Sequence, residues 1–426
     1  MNAGSGTVTF DATDDGVVQC PYPHYREMRD EAPVLELDGA MFGRPDERIF
    51  AVSRYDDVKR ILHDPTTFSS RFGTPAFKPS AELLARLREA GKDGWPNVST
   101  MLTEDPPSHT RYRRLVSMAF TPRRVALLEP TIRRICDELV AGFDRATRID
   151  FLSTFAVPLP VAAVAAILEI PDTHRDEFKK WADSSVAAIG KPISDDERVA
   201  AERDIVEQQR YFAGEIEARR SDPRDDFLTD LVNAELPADD DVEGGPLTMA
   251  EMLSIIRQIQ VAGSETTTSL LADVMVLLAE HPDQWARLQD DPERATLVVE
   301  EGLRWASPNQ GLYRIVTADT EVAGTPIPQG STVWVMYGSA DHDDRMFADP
   351  ESFDPDREGV RGHLAFGHGI HFCLGAALAR LEAVVALQAL ATHLDSLSVV
   401  DRDALRYGNS FILRGLEHLE LDVMYR

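Results

Sequence analysis

The stretch from His363 to Glu382 reads H-L-A-F-G-H-G-I-H-F-C-L-G-A-A-L-A-R-L-E, and it constrains the chain more than any other. One cysteine, Cys373, stands between a glycine-spaced loop (Phe366, Gly367, His368, Gly369) and a run in which Leu374, Ala377, Leu378 and Leu381 fall at helical spacing. This pattern predicts Cys373 at, or just before, a helix N-terminus. Free amides and the helix dipole there favour a thiolate over a thiol. Such a thiolate is a soft, charged ligand for iron. Gly367, Gly369 and Gly375 let the backbone lie against a flat group and turn amides toward the sulfur. Phe366 can screen the sulfur from water, and burial then tunes the iron's potential. A lone cysteine at a turn is more often an inert core residue. A hydrolase pairing Cys373 with His371 or His368 is a further reading, but the apolar, glycine-lined setting suits a planar cofactor better.

The second constraint is one long helix. Thr248-Met249-Ala250-Glu251 forms a capping box. The helical pattern runs to Glu280, where His281-Pro282 ends it, and about thirty residues give roughly 45 Å, enough to cross the molecule. Its centre, Q-V-A-G-S-E-T-T-T from Gln260 to Thr268, puts a glycine and three threonines where good helix formers belong. Breaking a propensity rule in mid-element marks function. Gly263 leaves room for something to approach the backbone. Thr266 can bond back to a carbonyl, and Glu265 is a carboxylate in an otherwise uncharged stretch. Upstream, Pro106 and Pro107 start a helix carrying His109 and Arg113 on one face. That pair can bind a buried carboxylate, although a run like this is usually a solvated basic face. Asp291-Pro292 opens another helix, on which Glu301 and Arg304 lie one turn apart.

Together these stretches resemble the cytochrome P-450 family. The window Phe366 to Gly375 matches the pattern Phe-Gly-x-Gly-x-His-x-Cys-x-Gly at every fixed position, and Ala262-Gly263-Ser264-Glu265-Thr266 matches the oxygen-activation motif. The resemblance covers about Pro21 to the end, with the motifs in the family's order. It implies a mainly α fold with a small β region, the haem lying between the long central helix and the cysteine-ligand helix. It implies haem b with Cys373 as axial ligand, held in the loop of Phe366, Gly367 and Gly375, and propionate contacts from His109, Arg113, Arg314 and His363. Thr266 is then the hydrogen-bond donor during O–O cleavage and Glu265 the proton relay. Adjacent residues point about 100° apart on a helix, so Glu265 would act through water. Glu301 and Arg304 match the family's buried Glu-x-x-Arg pair and are assigned to folding. Where the family often has Ala-Asn-Arg-Asp, this chain has Ala340-Asp341-His342-Asp343, so that loop's usual contacts are in question.

The implied activity is a monooxygenase: O₂ and two electrons from a ferredoxin and its reductase, with NAD(P)H as ultimate donor. One oxygen atom enters a small or mid-sized apolar substrate by hydroxylation or epoxidation. Candidate pocket residues are Met101, Leu102, Val261, Gly263, Leu312 and Phe411. A same-fold enzyme that uses peroxide or couples aromatic rings is one competitor, against which the Glu265-Thr266 pair argues. A haem-binding sensor without turnover is another.

Composition narrows partners. There are 44 basic and 72 acidic residues, a net 44 − 72 = −28, which argues against nucleic acid and anionic membranes. In so acidic a protein, Arg111, Arg114, Arg123 and Arg124 read as an exposed basic patch that docks an acidic redox protein. Three cysteines make no disulfide framework and fit a reducing cytosol. The start M-N-A-G-S-G-T-V-T-F lacks the regions of a signal peptide, and the most apolar stretch, Val161 to Leu168, is too short to span a bilayer. The expectation is a cytoplasmic monomer: residues 1–20 loosely ordered, 21–426 one catalytic domain.

The remaining pattern predicts helices over Pro23–Arg29, Tyr55–His63, Glu82–Ala90, Pro130–Phe143, Asp172–Trp181 and Asp196–Arg219. It predicts strands at Val34–Leu37, Ile49–Ser53, Tyr313–Val316 and Ser410–Leu413. Phe72–Leu102 reads as an irregular cap over the pocket, Ala182–Ser194 as a mobile lid, and Pro237–Pro246 as a solvated acidic loop.

Overall fold

In the computed structural model the long helix runs Met249–Glu280, 32 residues. Its capping box closes as predicted: Thr248 Oγ1 accepts from the Glu251 amide, and the Glu251 carboxylate accepts from the Thr248 amide. At its end Leu277 O accepts from the His281 backbone N–H, and Pro282 then starts a new helix. Among the described residues it is the one helix with the length and apolarity to cross a bilayer, and most of it is buried inside the protein. The description covers residues 8–42, 44–71, 80–117, 120–187, 189, 193–236 and 244–426.

Other helices pack around it. The cysteine helix, Ala376–His393, lies against the long helix, against Ala295–Ala306 and against Glu129–Ala141. The Pro158–Ile167 helix packs along the long helix's middle. The antiparallel pair Arg175–Val186 and Asp195–Ser221 packs over its first half. Their apolar faces merge into one core that includes Phe151, Phe155, Phe178, Phe212, Leu270, Met275 and Leu387.

The β region is a five-stranded sheet in the order Val34–Leu37, Ile49–Val52, Thr332–Val335, Leu312–Val316, Phe68–Ser69. Ile49–Val52 pairs in parallel with Thr332–Val335, in the register Phe50 to Val333. This sheet carries Arg314 into the interior.

Several expectations need correction. The Ser410–Leu413 strand is absent; Leu413 makes only an isolated bridge to Asn309. A helix over Pro282–Asp290 and a sheet of Leu394–Val399, Glu420–Tyr425 and Arg148–Asp150 were not anticipated. The first five residues of the supposed lid, 182–186, are helical, because the Arg175 helix continues to Val186, and Ser194 at its other end caps the next helix. Ala188 and Gly190–Pro192 lie outside the described residues, as do 72–79 of the cap and 237–243 of the acidic loop. The polar N-terminus is not loose from Val8 onward: Val8, Phe10, Ala12 and Val17 are buried against Tyr25 and Trp334. The atypical His342 is accommodated by stacking on Tyr22 at 4.3 Å and pairing Nε2 with Trp305 O at 2.9 Å.

Candidate functional site

Cys373 sits two residues before Gly375, the N-cap of the cysteine helix. Its amide donates to Phe366 O at 2.8 Å, which closes the loop over the sulfur. Gly367 and Gly369 take φ of +65° and +71°. A Cβ on Gly369 would lie 2.3 Å from Leu62 O, so only glycine fits that close approach. At Gly375 a Cβ would meet nothing within 4 Å; the backbone there borders open space. Burial pushes the Cys373 thiol up, while the amides of Gly375 and Ala376 and the guanidiniums of Arg113 and Arg380 pull it down. Burial has the larger effect. A bound metal cation would deprotonate the thiol outright. Phe366 is half-buried, with the Arg380 guanidinium 4.6 Å above its ring and Phe372 beside it at 6.2 Å.

Next to this loop the fold gathers four cationic or imidazole side chains. His109, Arg113 and Arg314 come together as expected, and His371 joins them. The His109 and His371 rings are 4.2 Å apart. Arg113 donates to Phe372 O, Arg314 is buried, and both guanidiniums act on His371. Burial, then Arg113, lowers His109 to about 4, with Asp105 opposing. Burial, then Arg314, His109 and Arg113, lowers His371 to about 3. Among the described residues neither ring nitrogen of the buried His109 has a hydrogen-bond partner. His371 Nε2 is within 2.9 Å of Ser70 Oγ, whose residue is tied to Asp105 through its backbone N–H. A pocket so rich in donors and so poor in acceptors fits a group that brings carboxylates.

His363 is not part of it, which corrects the expectation. Its Nε2 pairs with Glu300 Oε2 at 3.2 Å and its Nδ1 accepts from the Ala365 amide, so both nitrogens are engaged inside the protein. His371 stands in the cluster in its place.

The Glu301–Arg304 pair is fully buried and bidentate, at 2.8 Å for each contact. Arg357 closes a triad on the same carboxylate at 3.1 Å, and Arg304 also donates to Asp341 O and Ser352 O. Every strong donor and acceptor here is matched, which is the mark of a structural knot.

The long helix is buried from Met252 to Leu278 except for Gly263 and one stripe: Arg257, Gln258, Val261, Ala262, Glu265 and Thr266. These fall at i, i+1, i+4, i+5, i+8 and i+9, one face of a helix. Thr266 Oγ1 donates to Ala262 O at 2.9 Å, the predicted back-bond. The bare face of Gly263 is turned elsewhere: a Cβ would come within 2.7 Å of Val164 Cγ2, so it lets the Pro158 helix approach, not a ligand. Of the other pocket candidates, Leu102 is exposed, Leu312 and Val261 are half-buried, and Met101 is in the core. Phe411 packs on Phe42 and Trp334 at 5.3 and 5.8 Å, in a separate apolar cluster under the sheet.

The basic patch is smaller than expected. Arg111 is buried and acts on Glu251, and Arg124 pairs with Asp230. Arg114 and Arg123 remain exposed.

Comparison with known proteins now adds the family. Residues 164–400 match the Cytochrome P450 model. The chain belongs to the cytochrome P450 family. It is 36% identical over 416 residues to Cytochrome P450 107B1 of Saccharopolyspora erythraea, covering 96% of each. It is also 36% identical over 400 residues to the 6-deoxyerythronolide B hydroxylase of the same organism, covering 93% of this chain and 95% of that one. The solved cytochrome P450 CYP109Q5 from Chondromyces apiculatus superposes with a TM-score of 0.82 at 36% identity, covering 98% of both chains. The mainly α fold with a small β region is therefore the cytochrome P450 fold. The family's activity is monooxygenation, its cofactor is haem b and O₂ is its co-substrate.

Proposed function

We propose that this cytochrome P450 hydroxylates or epoxidises a lipophilic small molecule, with haem b held between the open stripe of the long helix and the Cys373 loop. The observation that carries this is the junction of two features. A half-buried cysteine meets two helix-start amides, and beside it lies a donor cluster without a matching anion. Haem b, when bound, supplies the iron at which O₂ is reduced and split.

The chain's own residues then have distinct tasks. Cys373 would provide the thiolate ligand to the iron, screened by Phe366 and kept close by Gly367 and Gly375. His109, Arg113, Arg314 and His371 would receive the haem carboxylates. Thr266, at one end of the stripe, carries a hydroxyl bonded back to Ala262 O that would release this bond to donate its proton, and Glu265, exposed on the same face, would bring protons to it through water. The stripe between Arg257 and Thr266 forms one wall of the substrate space, with Leu102, Val261 and Leu312 as further candidates. The hydroxylase relative supports insertion at an unactivated carbon. Electrons come from a ferredoxin with its NAD(P)H-dependent reductase, docking at the face that carries Arg114 and Arg123. The protein acts as a cytoplasmic monomer.

Glu265→Gln tests the proton path. It should slow product formation and raise peroxide release several-fold, with substrate binding unchanged. Unchanged turnover and coupling would reject the relay.

A further inference from the structure

The open stripe ends in a charge that the fold leaves over. Arg257 lies on the same face of the long helix as Val261 and Glu265. It is half-buried, with its guanidinium nitrogens still reachable from outside, and among the described residues it makes no hydrogen bond and no ion pair. Burial lowers its guanidinium from the ordinary range, with Glu202 opposing from a distance. Glu202, on the Asp195–Ser221 helix, directs its carboxylate toward Gly91, where a Cβ would come within 2.7 Å of Oε1. Gln258, the neighbour on the stripe, is already bonded to Thr100 Oγ1.

A half-buried guanidinium without a protein acceptor is free to take one from a ligand lying along the stripe. Its planar fork of donors fits the two oxygens of a carboxylate or phosphate. We propose that Arg257 is the anion-binding residue of the substrate pocket, and that the substrate is an amphipathic molecule with one carboxylate or phosphate head group. Its apolar remainder runs along Val261 and Ala262 toward Thr266. Nine residues separate Arg257 from Thr266, about 13 Å along the axis. Oxidation therefore falls on the apolar part, away from the head group. This rests on the pocket assigned under Proposed function and names its substrate class.

The test titrates ferric holoprotein with dodecanoic acid, dodecyl phosphate and methyl dodecanoate. It reads the spin-state shift and the calorimetric Kd in the wild type, Arg257→Ala and Arg257→Gln. One or both anions should bind about tenfold or more tighter than the ester, and both variants should weaken anion binding by about ten- to a hundredfold while leaving the ester nearly unchanged. Preference for the acid alone assigns a carboxylate, and for the phosphate alone a phosphate. Equal binding of anions and ester by the wild type overturns the proposal. So does an anion preference that survives Arg257→Ala, or a variant that weakens all three ligands alike, as a lost structural contact would. The reduced carbonyl spectrum of each protein separates the two readings. A red-shifted band without anion preference removes only this proposal; its absence from the wild type removes the haem-thiolate reading beneath it.

Discussion

Two charged clusters flank the cysteine helix, and they are built on opposite principles. Glu301, Arg304 and Arg357, with Glu300, His363 and Arg380 alongside, form a knot in which each carboxylate meets a matching donor. His109, His371, Arg113 and Arg314 form a cluster with donors to spare, and neither buried ring nitrogen of His109 has a partner among the described residues. The first arrangement is complete as protein and serves the fold. The second is complete only with an added anion and serves a ligand. Residue type does not separate them, since both contain His and Arg. Saturation does.

Arg304→Ala should break the comparison most severely. It leaves Glu301 buried beside a weakened triad and should cost about 3–5 kcal/mol, read by denaturant unfolding. A loss below about 1 kcal/mol would mean the knot is not structural. His371→Ala attacks the other cluster. It should accelerate haem transfer to an acceptor protein by about tenfold or more while leaving the unfolding midpoint of the haem-free chain nearly unchanged. A stability loss as large as that of Arg304→Ala would erase the distinction between the clusters.

The knot also has a pH signature. Burial pushes Glu300 up, but His363 and Arg380 outweigh it and bring Glu300 to about 2, from an ordinary 4.5. A depressed carboxylate stabilises fully above its unfolded value and loses that contribution as pH falls through its folded value. Stability should therefore decline between about pH 4.5 and 2, and Glu300→Gln should flatten that part of the curve. An identical curve in the variant would contradict the assignment. The smallest effect is expected at the surface: Arg114→Glu with Arg123→Glu should slow reduction by ferredoxin a few-fold at low salt, with the difference fading at high salt. Equal rates at every salt concentration would reject the docking face.

How much of this was legible in the sequence follows the range of the interactions. The capping box at Thr248 and Glu251, the Glu301–Arg304 pair and the helix after Cys373 depend on residues within one turn or two, and the structure has them. His363 and His371 are equally plausible anion ligands by local pattern. What separates them is Glu300, 63 residues from His363, which occupies one of them. Arg111 reads as surface on a basic helix until the long helix brings Glu251 beside it. The sheet joining Arg148–Asp150 to Glu420–Tyr425 rests on a strand of three residues paired across most of the chain, too short to show alternation. Phe411 looked like a pocket residue because nothing local reveals Phe42 and Trp334 as its partners.

The central claim is that Cys373 provides a thiolate to haem iron within this chain. The most direct measurement is the absorption spectrum of the purified protein, reduced and exposed to carbon monoxide, in the wild type and in Cys373→Ala. The account predicts a strongly red-shifted Soret band in the wild type that the substitution abolishes. A protein without a haem band, or an unshifted carbonyl band unaltered by Cys373→Ala, would contradict it.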